Sequence, residues 1–255
     1  TIVEVLSGSS LASINGNVKL NANQNITSTA TTTAAGVGYG ATGSVTLALV
    51  EVGSTTKVAS GANVTASKGT YDILAHSILT ATANAYGLSA ALGGSVQAAI
   101  ARLTVKPVVL AAVTGGKIQA KNIRVRALFN VNDNNSYSNA GKLESNAYAG
   151  AASGLVSGSG ASSEITVDGS ATAEVTNATL TLTEDALVHS KANGSLTGNG
   201  AGLAAAGGAA VGGVVVKIEN TFKTIAQITR TTITAARNVS VLADYDGTVN
   251  GTAKG

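Results

Sequence analysis

A short strand-like motif, apolar-x-apolar-x-Ala, returns along this chain at a near-constant interval. It stands at Val18-Lys19-Leu20-Asn21-Ala22, at Tyr71-Asp72-Ile73-Leu74-Ala75 and at Ile123-Arg124-Val125-Arg126-Ala127. Weaker copies are Val188-His189-Ser190-Lys191-Ala192 and Val239-Ser240-Val241-Leu242-Ala243. The closing alanines are spaced by about 53, 52, 65 and 51 residues, a fixed period with one insertion. Such a chain is built from copies of one unit, and neighbouring copies must bury one another. The repeats run over 14–66, 67–120, 121–183, 184–235 and a partial 236–255, in one repetitive domain covering 1–255. The third unit carries the insertion, placed in the polar segment near 130–144.

Within each unit the landmarks keep their order. A Ser/Thr/Asn-rich stretch follows the anchor, then a Gly/Ala block such as Ala34 to Gly43 or Ala204 to Gly213. Next comes an alternating strand: Val45, Leu47, Leu49 in the first unit, Val96, Ala98, Ile100 in the second, Val214, Val216, Ile218 in the fourth. A Thr/Val strand such as Ala62-Asn63-Val64-Thr65-Ala66 closes the unit. Period-two alternation rich in Val and Thr predicts half-buried strands. The fold class is therefore all-β, an elongated β-solenoid of the parallel β-helix kind. Val18, Leu20, Ala22, Ile73, Ala75, Val125 and Ala127 are expected to point inward at equivalent positions. A narrow β-helix uses roughly 20 to 25 residues per turn, so each unit is expected to hold two or more coils or strand layers.

Composition fits a thin core. Aromatic residues make up 3%, with two Phe and no Trp, Met or Cys, so the apolar content is Ala, Val, Ile and Leu. Charged residues are 11% and the net charge is +3 with no basic run, which argues against nucleic acid. Leu196 to Val216 is uncharged and long enough to span a bilayer, but it is dominated by Gly and Ala and runs into a strand pattern, so no transmembrane segment is expected. The chain reads as a fragment or processed product, with any export signal or anchor outside it.

This order of anchor, Thr/Asn stretch, Gly/Ala block (Ala204-Ala205-Ala206-Gly207-Gly208-Ala209-Ala210-Val211-Gly212-Gly213), Val strand and Ala62-Asn63-Val64-Thr65-Ala66 resembles the leukotoxin-like filamentous adhesins and large repetitive surface proteins of Gram-negative-type bacteria. The resemblance covers nearly the whole chain. It implies a long extracellular or cell-surface fibre, and it supplies no catalytic residues.

The expected function is a structural and adhesive segment of a bacterial surface fibre, acting as stalk or self-assembling filament. Its partners would be neighbouring repeats or identical subunits end to end, with host glycans or surface receptors. Ice or surface binding is the alternative, motivated by Thr27/Thr29, Thr80/Thr82 and Thr229/Thr231, although these pairs are expected to fall in different segments of the repeat. A carbohydrate-active β-helix enzyme ranks below it. Such enzymes need carboxylates aligned on neighbouring coils, and the thirteen Asp and Glu are thinly spread, so no enzyme is expected. Glu184 and Asp185 are adjacent, and Glu164 and Asp168 lack a partner. His76 and His189 are expected at solvent or strand edges. Gly38-Tyr39-Gly40-Ala41-Thr42-Gly43 matches GxGxxG, but a β pattern follows where that motif needs a helix.

Two clusters could contact a ligand. In the insertion, Asp133, Asn134, Asn135, Tyr137 and Lys142 bring oxygen atoms, an aromatic ring and a charge into a short span, which suits glycan or cation contact. Asp244-Tyr245-Asp246-Gly247 with Asn250 partly resembles an acidic calcium loop without its distal Glu. Asp244, Asp246 and Asn250 are thus the candidate metal ligands, and no cofactor other than calcium has a candidate site.

Overall fold

A computed structural model describes residues 1–132, 141–234 and 236–255. Among these the chain forms sixteen strands and no helix. First come β1 (Ile2–Val5), β2 (Ser10–Ala12), β3 (Val18–Gly38) and β4 (Ala41–Ser60). Then follow β5 (Asn63–Ala91) and β6 (Gly94–Val113). After them come β7 (Lys117–Phe129), β8 (Lys142–Ser153), β9 (Val156–Val167) and β10 (Ser170–Thr176). The rest are β11 (Thr179–Leu182), β12 (Asp185–Ala206), β13 (Ala209–Asn220), β14 (Lys223–Thr229), β15 (Thr232–Thr234) and β16 (Asn238–Lys254). Leu196 to Val216, long enough for a membrane helix, lies in β12, β13 and the turn between them.

All pairings are parallel, in two sheets. One sheet contains β1, β4, β6, β9, β10, β13 and β14, and the other contains β2, β3, β5, β7, β8, β11, β12, β15 and β16. The architecture is all-β with parallel sheets, consistent with a β-helix or solenoid-like fold. Each strand pairs with the strand one repeat further on: Val18 faces Tyr71, Ala41 faces Gly94, Lys142 faces Ser195 and Asp185 faces Asn238. A strand and the strand one anchor interval further on are thus neighbours in the ladder, and each such interval passes through two strand layers in a single coil. Strands of about 20 residues, such as β3 and β4, use up the whole unit in a single circuit.

The anchor register agrees with the sequence pattern in four of five copies. Ala22, Ala75, Ala127, Ser190 and Ala243 stack in one column. The fourth copy differs, since Ser190, not Ala192, stands over Ala127, and Ala192 stands over Phe129. Ala22, Ile73, Ala75, Val125 and Ala127 are buried, and Val18 and Leu20 pack against the same core. Three residues separate Ser77 from Ala81 on β5, whereas thirteen separate their partners Phe129 and Leu143.

The core tapers. Near the anchors it holds large side chains, among them Tyr71, Ile73, Leu103, Ile123 and Phe129. Phe129 stacks on Phe222 at 4.9 Å, so the two phenylalanines of the chain meet in this wide half. Toward the turns at 39–40, 92–93 and 207–208 the sheets close on each other. A Cβ on Gly202 would stand 2.9 Å from the Gly213 carbonyl oxygen, and one on Gly200 2.6 Å from Val214. The Gly/Ala blocks are needed for this close approach.

In that narrow half the alternation is inverted relative to expectation. Val45, Leu47 and Leu49 face solvent, while Thr46, Ala48 and Val50 face inward. Val96 is exposed and Gln97 buried. Inside, Gln97 Nε2 donates to Thr46 Oγ1 at 3.2 Å, Ser44 hydrogen-bonds Gln97, and Ser89 and Ser95 share a 2.6 Å bond. Val214, Val216 and Ile218 do point inward, toward Gly198 and Gly200. The three alternating triplets therefore belong to opposite faces. Val45 pairs with Ala98 and Thr46 with Ala99, and the latter column continues to Ala161 and Val214. A one-residue shift in reading a strand exchanges its two faces.

Candidate functional site

The root of the insertion is tied down at the outer face of the larger sheet. Asn130 takes a left-handed conformation with φ 53°. Its backbone N–H donates to the Ser77 carbonyl at 2.8 Å, and its Oδ1 accepts from the Leu79 N–H at 2.8 Å. Asn130 so bridges the gap on β5 between the end of β7 and the start of β8. Gly141 closes the root from the other side, because a Cβ there would stand 2.2 Å from Asn130 Cγ. Val131 packs on Leu74 and Leu128, an outer cluster separate from the main core. Its carbonyl lies 2.7 Å from His76 Nε2 and can only accept, so that nitrogen carries the proton.

Of the candidate ligand residues in the insertion, Asp133, Asn134, Asn135 and Tyr137 lie outside the described residues. Lys142 opens β8 opposite Ser195, with its side chain in solvent.

The second cluster does not form a calcium loop. Asp244, Asp246 and Asn250 all lie on β16, an extended strand. At about 3.3 Å per residue, Asp246 and Asn250 are roughly 13 Å apart, too far to share one ion with ligand distances near 2.5 Å. Asp244 is also engaged elsewhere, with Oδ2 2.8 Å from His189 Nε2. His189 is 6% exposed, so the expectation of a solvent-facing histidine fails there. The neighbouring strand brings a carboxylate over the ring.

Several other charged groups pair across the stack. Glu164 meets Arg102 at 2.7 Å and Lys217 at 3.8 Å, each opposite it in the ladder. Asp168 accepts from Thr221 Oγ1 at 3.1 Å. Arg126 reaches both oxygens of Asp72 at 3.0–3.1 Å, with each side chain nearly buried. Glu184 lies at a bend and Asp185 opens β12, where they meet Lys121 and Arg237. The hydrogen bonds from Arg237 and Asn238 hold the Asp185 carboxyl below its usual range, and those from Lys121 and Asn122 do the same for Glu184. Among the described residues no three His, Cys, Asp or Glu gather to hold a metal. Gly38 ends β3 and Ala41 begins β4, so the GxGxxG match is a turn between strands.

Two outward columns escaped the sequence reading. Asn199 Nδ2 donates to Asn146 Oδ1 and Asn146 Nδ2 to Asn84 Oδ1, both at 2.8 Å, and Asn84 continues to Thr31 at 3.2 Å. Two positions along, Tyr86 and Tyr148 stack with ring centres 5.4 Å apart and planes within 2°. The signal was present as Asn and Tyr recurring at matching places in successive units. It was masked because the insertion shifts Asn146 and Tyr148 out of phase.

The outer face near the narrow turns is apolar. Tyr39 is 90% exposed, and Val37, Leu88, Leu92, Leu155 and Leu203 also stand in solvent. No charged residue occurs in 20–50, 73–101, 145–163 or 192–216, the four tracts that build this half. No protein-family model, curated protein or solved structure matches this chain.

Proposed function

We propose that this chain is a β-solenoid of about 52-residue repeats that serves as a structural and adhesive segment of an extracellular surface fibre. One observation carries the reading. Every repeat pairs in parallel register with the next, so the outermost strands offer edges that another copy of the same unit would extend. Among the described residues, β16 pairs with β12 along 17 positions and its other edge meets no further strand. An open strand edge is a template for pairing unless it is blocked. Neighbouring repeats, or identical subunits end to end, fit that edge. Six carboxylates, Glu4, Glu51, Asp72, Glu164, Glu184 and Asp185, are held in ion pairs between turns, which favours a scaffold over an enzyme. Adhesion to host glycans or surface receptors is assigned to the insertion.

The test is electron microscopy of the purified chain at rising concentration, with binding to glycan arrays before and after removal of residues 136–142. Unbranched filaments, and binding lost with the insertion, are the expected results. A chain that neither polymerises nor binds would contradict the proposal.

The Thr column favours a second reading, ice or surface binding. Thr27 and Thr29 stand directly over Thr80 and Thr82 on the outer face, in contrast to the expectation that these pairs fall in different segments. Lys142 and Glu144 interrupt the column on the next turn, and Thr229 lies in the other sheet. Thermal hysteresis in freezing solutions would support this reading over the fibre.

A further inference from the structure

Charge-free, inside-out strands of the smaller sheet leave an apolar face on the narrow half that nothing among the described residues of one chain covers. On the smaller sheet this face has a pattern. Gly43, Val96, Gly158 and Val211 form one outward column, one residue per turn. It reads notch, knob, notch, knob. Val96 and Val211 are 61% and 71% exposed. A Cβ built on Gly158 meets nothing nearer than 4.0 Å, so the notch is open. The next column, with Gly160 and Gly213, has empty space at both glycines. Successive turns are about 4.8 Å apart, so the knobs repeat at roughly 10 Å.

Read backwards, the column becomes knob, notch, knob, notch. We infer that two copies of this chain pack side by side and antiparallel about a two-fold axis, with Val96 of each seated on Gly158 of the other and Val211 on Gly43. An isologous contact needs a self-complementary patch, and this order supplies it at all four positions. In a parallel pair the same fit needs a one-turn slip, which leaves a knob and a notch without partners. The outer face of the larger sheet repeats the order as Ala35, Leu88, Gly150 and Leu203.

The pitch argues for a second copy over other apolar partners, since a stack of the same turns carries side chains at the same spacing. A bilayer fits less well. Among the described residues, β13 pairs only with β9, so one edge of its backbone would enter hydrocarbon unpaired. Seven large apolar side chains of this face at about 60% exposure amount to on the order of 250–500 Å² per partner. That is the size of a weak contact for one chain. It would strengthen with every turn added to the stack.

The inference rests on the stacked turns and not on the fibre reading. Sedimentation equilibrium of the whole chain up to about 1 mM should show a monomer–dimer equilibrium in the micromolar-to-millimolar range. Gly158→Leu fills the notch and should weaken association at least tenfold with unchanged circular dichroism. Val96→Gly added to Gly158→Leu moves the knob to the facing position and should restore affinity to within about threefold, which a merely damaged fold would not do. A strictly monomeric chain at 1 mM, or association indifferent to Gly158→Leu, overturns the inference. So does flotation of a monomeric chain with neutral phosphatidylcholine vesicles, which would assign the face to lipid. Association blocked by Val241→Pro in β16 but untouched by Gly158→Leu also overturns it, and leaves end-to-end stacking standing.

Discussion

Single glycines separate turns that admit a side chain from turns that do not. Gly116 lies between β6 and β7 with φ +86°, and a Cβ there would stand 2.1 Å from the Ala62 carbonyl oxygen of the turn beneath. Gly116→Ala combines left-handed strain with a backbone clash and should cost at least about 2 kcal/mol, read as a lowered urea midpoint. Gly53 is the control. It lies in β4 with nothing within 4 Å of a built Cβ, so Gly53→Ala should raise stability by about 0.5–1 kcal/mol. The core has its own sensitive point at Phe129. It is fully buried against Phe222, and Phe129→Ala should cost about 3–5 kcal/mol. At this scale the sequence was legible where side chains are large. The anchors with Leu, Ile and Val were read onto the right face. The outward face of Val45 and Val96 was not legible, because hydrophobicity alone cannot show that Gln97 pairs with Thr46, and Ser89 with Ser95, inside.

Strands are joined by ladders that single residues begin and end. Asn146 holds the centre of its ladder, with one amide bond on each side, while Asn199 ends it. Asn146→Ala should therefore destabilise by about 1–2 kcal/mol and Asn199→Ala by about half as much, measured by chemical denaturation. At the entry to β12, Asp185 accepts from Arg237 and Asn238 of the next turn. Its carboxyl is held below the ordinary value of 3.8. A depressed folded value means the stabilising contribution is present above pH 3.8 and fades as the pH falls through the lower folded value. The wild type should lose melting temperature over that acid window more steeply than Asp185→Asn, with the two curves running parallel near neutrality. Strand existence was legible from alternation. Strand length was not, because β3 runs through Thr and Gly/Ala segments that composition separates but backbone pairing joins.

The whole molecule divides into a wide half that holds the ion pairs and a narrow half whose smaller-sheet strands carry no charge, and this division follows from where charges fall within each repeat. The period was readable from five anchors. The number of turns per period was not, since period two fixes faces but says nothing about how far a strand runs before it bends. The central claim is that one repeat makes one turn. Thr29, Thr82, Glu144, Thr197 and Asn250 then form one outward column, with four steps between its ends. At about 4.8 Å per step, Thr29 and Asn250 are roughly 19 Å apart. Spin labels placed at Thr29→Cys and Asn250→Cys, in a chain that has no other cysteine, measure this by pulsed dipolar spectroscopy. A narrow distribution near 20 Å is the predicted result. A distance near 40 Å, as two turns per repeat would require, or a broad distribution without a maximum, would contradict it.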